Sequence, residues 1–152
     1  MSIAASDSER GAERARSRET SGYSGTPLPR KLGIRDGSRV LVLSGPSKLD
    51  LEPLPAGAVI HRRAGRGPYD VIVVFCPDLR ALQARFAPLV ESLTTAGALW
   101  ACWPKKASGV ATDLTENAVR DHGLDVGLVD VKVAAIDTTW AGLKFVRRVA
   151  DR

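Results

Sequence analysis

The chain has 152 residues, 44% of them hydrophobic and 26% charged, enough apolar surface for the core of one domain and too much for a wholly disordered chain. Its 22 basic and 17 acidic side chains leave a net charge of +5, an excess that permits an anionic partner without requiring nucleic acid. Two cysteines are too few for a disulfide framework, and no histidine–cysteine cluster has the spacing of a zinc site. No apolar run approaches the ~20 residues of a membrane span, and the N-terminus lacks the apolar centre of a signal peptide. A soluble protein of the reducing cytoplasm is expected.

Residues 1–21 are rich in Arg, Glu, Ser and Ala and carry no large apolar side chain after Ile3. Such a segment has little to offset its ordering entropy, so a disordered leader is expected there, followed by one domain over 22–152. Pro27 predicts a short helix that Gly33 closes. Arg39–Leu43, Ala58–His61 and Tyr69–Cys76 are apolar runs without alternation, as in strands covered on both faces. A short linker joins the first two, in the place where a first crossover helix would stand.

Asp78 predicts the cap of a helix with Leu79, Leu82, Phe86, Leu89, Val90 and Leu93 at helical spacing, broken or kinked at Pro88 and closed by Gly97. Residues 98–103 read as the next strand. After the loop 104–111, Asp113 with Glu116 resembles a capping box, and Thr112 with Thr115 offers another register. The helix they open is expected to end at Gly123. Two last strands, Leu128–Ile136 and Gly142–Val149, flank 137–141 as an antiparallel hairpin. The order β–β–β–α–β–α–β–β predicts an α/β, small Rossmann-like three-layer domain with a mainly parallel sheet and a C-terminal antiparallel β-hairpin.

The loop from Trp103 to Thr115 is the candidate site, because ligands of open parallel sheets bind beyond the C-terminal ends of the strands. Lys105 and Lys106 supply charge, Ser108, Thr112 and Thr115 hydroxyls, and Gly109 close backbone approach, at the start of a helix that favours anions. The alternative is a solvated basic loop whose hydroxyls only cap a helix. Trp103 and Trp140, each near a strand end, either wall a flat ligand or close the core. Asp137, Thr138 and Thr139 are ordinary turn chemistry. His61 and His122 lack partners at metal-ligand spacing, and Cys76 and Cys102 read as buried thiols. No catalytic residue and no metal ligand is assigned.

The order of elements over 38–150 resembles the second half of a Rossmann-type methyltransferase. The glycine-rich loop that would imply a cofactor is absent: Leu43-Ser44-Gly45-Pro46-Ser47 has one glycine, and the second strand runs into His61-Arg62-Arg63 with no acidic residue. Three segments resemble the bacterial "domain of unknown function 3052" family: Gly22-Tyr23-Ser24-Gly25-Thr26-Pro27-Leu28; Trp103-Pro104-Lys105-Lys106-Ala107-Ser108-Gly109 with Thr112-Asp113-Leu114-Thr115-Glu116; and Leu128–Val133 with Trp140–Val146. That resemblance implies a fold and no chemistry. The sequence thus points to a non-catalytic binding module for an anionic small molecule or a protein partner. Its alternatives are a reduced methyltransferase-like transferase and a structural or assembly protein using its edge strands. Nucleic acid is not expected as a partner, nor is a membrane, and neither cofactor nor oligomeric state follows.

Overall fold

A computed structural model describes residues 25–152; the expected leader, residues 1–21, lies outside them. The elements are α1 (Leu28–Lys31), β1 (Arg39–Leu43), β2 (Val59–His61), β3 (Tyr69–Phe75), α2 (Leu79–Val90), β4 (Leu93–Pro104), α3 (Glu116–Val126), β5 (Leu128–Ala135) and β6 (Trp140–Arg147). They build one six-stranded sheet in the order β2-β1-β3-β4-β6-β5. Strands β2, β1, β3 and β4 pair in parallel, whereas β4–β6 and β6–β5 are antiparallel. The expected α/β Rossmann-like architecture is therefore present, with a parallel half and an antiparallel half. Among the described residues no helix is long and apolar enough to cross a membrane.

Two of the unbroken apolar runs, β1 and β3, become strands buried on both faces; the third, β2, is an edge strand with Val59 exposed, because no strand pairs on its outer side. One face packs Leu41, Ile72, Val74, Leu99, Leu143 and Phe145 under α2 and α3, which contribute Leu82, Phe86, Leu89 and Val119. The other packs Val40, Val42, Val71, Val73, Phe75 and Trp100 under Leu32, Ile34 and Leu51. On that second face α1 and the helix-free β1–β2 connection replace a full helical layer. Trp100 is fully buried, and its indole N–H donates to the Leu32 carbonyl at 3.1 Å, which ties the α1 segment to the middle of the sheet.

Several boundaries differ from the sequence reading, each for a tertiary reason. Helix α2 runs two residues past Pro88, stops at Val90, and leaves its carbonyl to Arg147, whose Nη2 donates to Val90 and Leu93 at 2.8 and 2.9 Å. Gly97 does not close that helix. It lies inside β4, where the register shifts between Tyr69↔Leu93 and Val71↔Ala98. A Cβ on Gly97 would stand 2.7 Å from Thr94 Oγ1 and 3.0 Å from the Asp70 carbonyl, so the tight bulge admits only glycine.

Gly123 likewise lies within α3, which continues to Val126 and ends at Gly127 with φ +104°. A Cβ on Gly123 would fall 2.0 Å from the Phe145 ring, so this glycine lets the helix sit down on β6. The α3 cap is Thr115, whose Oγ1 accepts from the Ala118 N–H, not Asp113 or Thr112. Trp140 and Ala141, read as turn, belong to β6, because Asp137 Oδ1 accepts from the N–H groups of Thr139 and Trp140 and tightens the turn to 136–139.

Candidate functional site

Strands β1, β3, β4 and β5 all end at one edge of the sheet, the edge where ligands of such sheets bind. A cleft of about 360 Å³ opens there. It is walled by Thr26, Leu28 and Lys31 of the α1 segment, by Lys48, Leu49, Asp50 and Glu52 of the β1–β2 connection, and by Ile136, Asp137 and Thr138 of the β5–β6 turn. The apolar wall is held by the core: Ile136 and Leu51 are buried, and Leu28, Leu49 and Leu54 pack on the same cluster.

The charged wall is mixed. Lys31 Nζ donates to the Ala135 carbonyl at 2.8 Å, which fixes α1 on β5. Burial, and then the nearby Lys105 charge, hold the Lys31 ammonium below the usual lysine range. Asp137 spends one carboxylate oxygen on the turn, as the sequence reading has it, and still lines the cleft. Asp50 Oδ1 accepts from the Glu52 N–H at 3.1 Å, a local turn that sets the direction of this acidic pair.

The sequence-predicted loop sits beside this cleft and is largely occupied with itself. Ser108 Oγ donates to the Lys105 carbonyl at 2.6 Å and accepts from the Val110 N–H. Thr112 Oγ1 donates to the Pro77 carbonyl at 2.7 Å, and Thr115 caps α3. Gly109, at φ +79°, closes a short turn over Lys106–Ser108. Asp113 reaches across to accept from the Leu79 N–H at 2.8 Å, next to Asp78, which accepts from the Ala81 N–H. The N-terminus of α2 beside the loop therefore already holds two carboxylates, and at the N-terminus of α3, where the sequence reading expects the anion, the Thr115 hydroxyl takes the Ala118 N–H. Lys106 is exposed; only Lys105, whose N–H donates to the Thr139 carbonyl and whose charge acts on Lys31, connects the loop to the cleft.

The two tryptophans do not share a wall. Trp103 is buried on the α2–α3 face, whereas Trp140 packs on the opposite face, edge-on to Phe75 with ring centroids 5.1 Å apart. The reason is pleating: Trp103 pairs with Ala141 and Trp140 with Pro104, so neighbouring positions point to opposite faces. Cys76 and Cys102 share a backbone hydrogen bond of 2.8 Å but belong to clusters on opposite faces. Burial pushes the Cys76 thiol up to about 11 and Cys102 well above its ordinary value, so both are inert thiols at neutral pH. His61 packs edge-on to Tyr69 and His122 to Phe86. Among the described residues no three potential ligands gather to hold a metal.

Sequence reasoning missed Lys31, Lys48, Asp50 and Glu52, because nothing in a linker's composition says which sheet edge it crosses. The one available signal was the helix-free stretch after β1, which must cover the sheet with extended chain.

No protein-family model matches the chain, and no curated protein does. Solved structures match its fold. The TehB-like SAM-dependent methyltransferase of Corynebacterium glutamicum aligns over 84% of this chain and 90% of its own, at 11% identity and TM-score 0.52. DhpI in its complex with SAH aligns over 81% and 83%, at 11% identity and TM-score 0.54. The tRNA methyltransferase TrmK of B. subtilis aligns over 84% and 68%, at 11% identity and TM-score 0.51.

The residues after β1 do not form the glycine loop with which Rossmann-like sheets hold a nucleotide cofactor. Gly45 is the single glycine there, and a Cβ on it would stand 3.1 Å from both Phe75 Cε1 and Val42 Cγ1. That glycine serves packing, not approach to a ligand, and β2 ends on His61 with no carboxylate. The chain has the Rossmann-like α/β fold of SAM-dependent methyltransferases, with the first crossover helix missing.

Proposed function

We propose that this chain is a reduced methyltransferase-like domain that receives a small molecule in the cleft between α1, the β1–β2 connection and the β5–β6 turn. The observation that carries the reading is the position of that cleft, at the C-terminal edge of the sheet in a fold that methyltransferases share. Its lysines and carboxylates, set around apolar lining residues, suit a ligand bearing both signs of charge. A non-catalytic anion-binding module centred on Lys105–Thr115 has less support, since Ser108, Thr112 and Thr115 spend their hydroxyls on the backbone. On the three segments quoted above, we also place the chain with the domain of unknown function 3052 family.

The test is native mass spectrometry of the purified protein beside Thr138→Trp, a substitution of an exposed residue that fills the cleft. A small molecule retained by the unmodified protein and absent from the variant is the expected result. The same molecule on both proteins, or none on either, overturns the reading. Calorimetry with adenosylmethionine and adenosylhomocysteine then separates transferase from binding domain. Micromolar affinity, about −8 kcal/mol, lost in Thr138→Trp, followed by release of adenosylhomocysteine on turnover with a methyl acceptor, makes it a transferase despite Gly45.

A further inference from the structure

We propose that Lys144, Lys132 and Arg35 form a second site, for a phosphate-type oxyanion, on the α1 face of the sheet and apart from the cleft described above. Lys132 and Lys144 are direct partners in the β5–β6 ladder and so project from the same face. Like charges placed opposite each other on one sheet face repel, and a fold keeps such a pair at a cost in stability. Arg35 approaches the same point from the turn after α1. Lys144 leans toward it: a Cβ on Gly33 would stand 3.9 Å from Lys144 Nζ.

Among the described residues no ion pair relieves this cluster, although Asp36 and Asp70 line the space beside Arg35 and Lys144. Of these two acids, Asp70 turns its Oδ2 to the Arg39 N–H at 2.8 Å, and Asp36 is exposed to solvent. Lys144 is half-buried, and burial first, then the charges of Lys132 and Arg35, hold its ammonium below the usual lysine range. An oxyanion among the three cations would remove the repulsion and restore the lost solvation in one step.

The space exists. A cleft of about 370 Å³ opens beside Lys144, lined also by Arg35, Ser38, Thr94, Gly33 and Gly37 and by the acidic Asp36 and Asp70, with Lys132 outside it on the neighbouring strand. It exceeds what one phosphate needs, so the phosphoryl group of a small organic molecule fits as well as an inorganic anion.

The experiment is thermal unfolding of the full chain in low salt, with millimolar pyrophosphate or glycerol phosphate. We expect Tm to rise by a few degrees, and the rise to vanish in high salt. Lys144→Met should raise Tm without ligand, because it removes the repulsion, and should abolish the anion-induced rise. Lys132→Gln serves the same purpose if the methionine variant folds poorly. Lys48→Met, in the other cleft, should keep the rise. A rise with both anions assigns the site to phosphoryl groups in general; a rise with pyrophosphate alone assigns it to inorganic anions. No rise in the unmodified protein, or an undiminished rise in the Lys144 and Lys132 variants, overturns the proposal. Loss of the rise in Lys48→Met overturns it too, since the anion then sits at the C-terminal edge.

Discussion

Gly123→Ala should destabilise the protein, although alanine is the better helix former. In an exposed helix interior the change would stabilise by about 1 kcal/mol. Here the new Cβ would lie 2.0, 2.5 and 2.6 Å from three atoms of the Phe145 ring. Carbon atoms want about 3.5–4.0 Å, so either the ring or the helix must move by more than an ångström. The ring has nowhere to go: Phe145 is fully buried and edge-on to Phe86, with centroids 5.3 Å apart. Overpacking of a tight core costs about 1–3 kcal/mol and occasionally more. The clash is at the severe end, so we expect a net loss of about 2 kcal/mol, equivalent to a Tm drop of about 4–16 °C. Urea unfolding followed by tryptophan fluorescence and circular dichroism measures it. Phe145→Leu makes room, so the double variant should lose less than the sum of the two single changes. A stabilised Gly123→Ala protein would refute the packing of α3 on β6 described above.

Asp113→Ala should cost about 0.5–2 kcal/mol in the same urea assay, because it removes the acceptor of the Leu79 N–H at the start of α2; an unchanged midpoint would place that carboxylate in solvent. Arg147→Met should cost about 1.5–3 kcal/mol by freeing the Val90 and Leu93 carbonyls, and a neutral result would show that water replaces the guanidinium. The thiols predict an alkaline loss of stability. Cys76 keeps its proton to about 11 when folded, against an ordinary 9.0. The stability from that raised value is whole below 9.0 and is lost as pH rises toward 11, at about 1.4 kcal/mol per pH unit. Cys76→Ala should flatten this alkaline limb, and an identical limb in the variant would assign it to other groups.

What the sequence determined by itself was set by local patterns. Continuous Val and Ile runs made β1 and β3 doubly buried strands, Asp78 capped α2 with its own side chain, and the lone Gly45 argued against a cofactor loop. Sheet order was left to tertiary structure, and so was the meaning of each glycine. Gly97 and Gly123 look like helix ends in a one-dimensional reading. They are points of close approach, because Thr94 and Asp70 in one case and Phe145 in the other occupy the space of a Cβ. The predicted loop illustrates the same limit. Thr112 and Asp113 find partners in Pro77 and Leu79, more than 30 residues away in sequence. Meanwhile Lys31, Asp50 and Asp137, from three separate segments, meet around one cleft. A hydrogen-bonding group declares its chemistry in the sequence, but whether it faces a ligand or another part of the chain depends on which strands are neighbours, and only packing settles that.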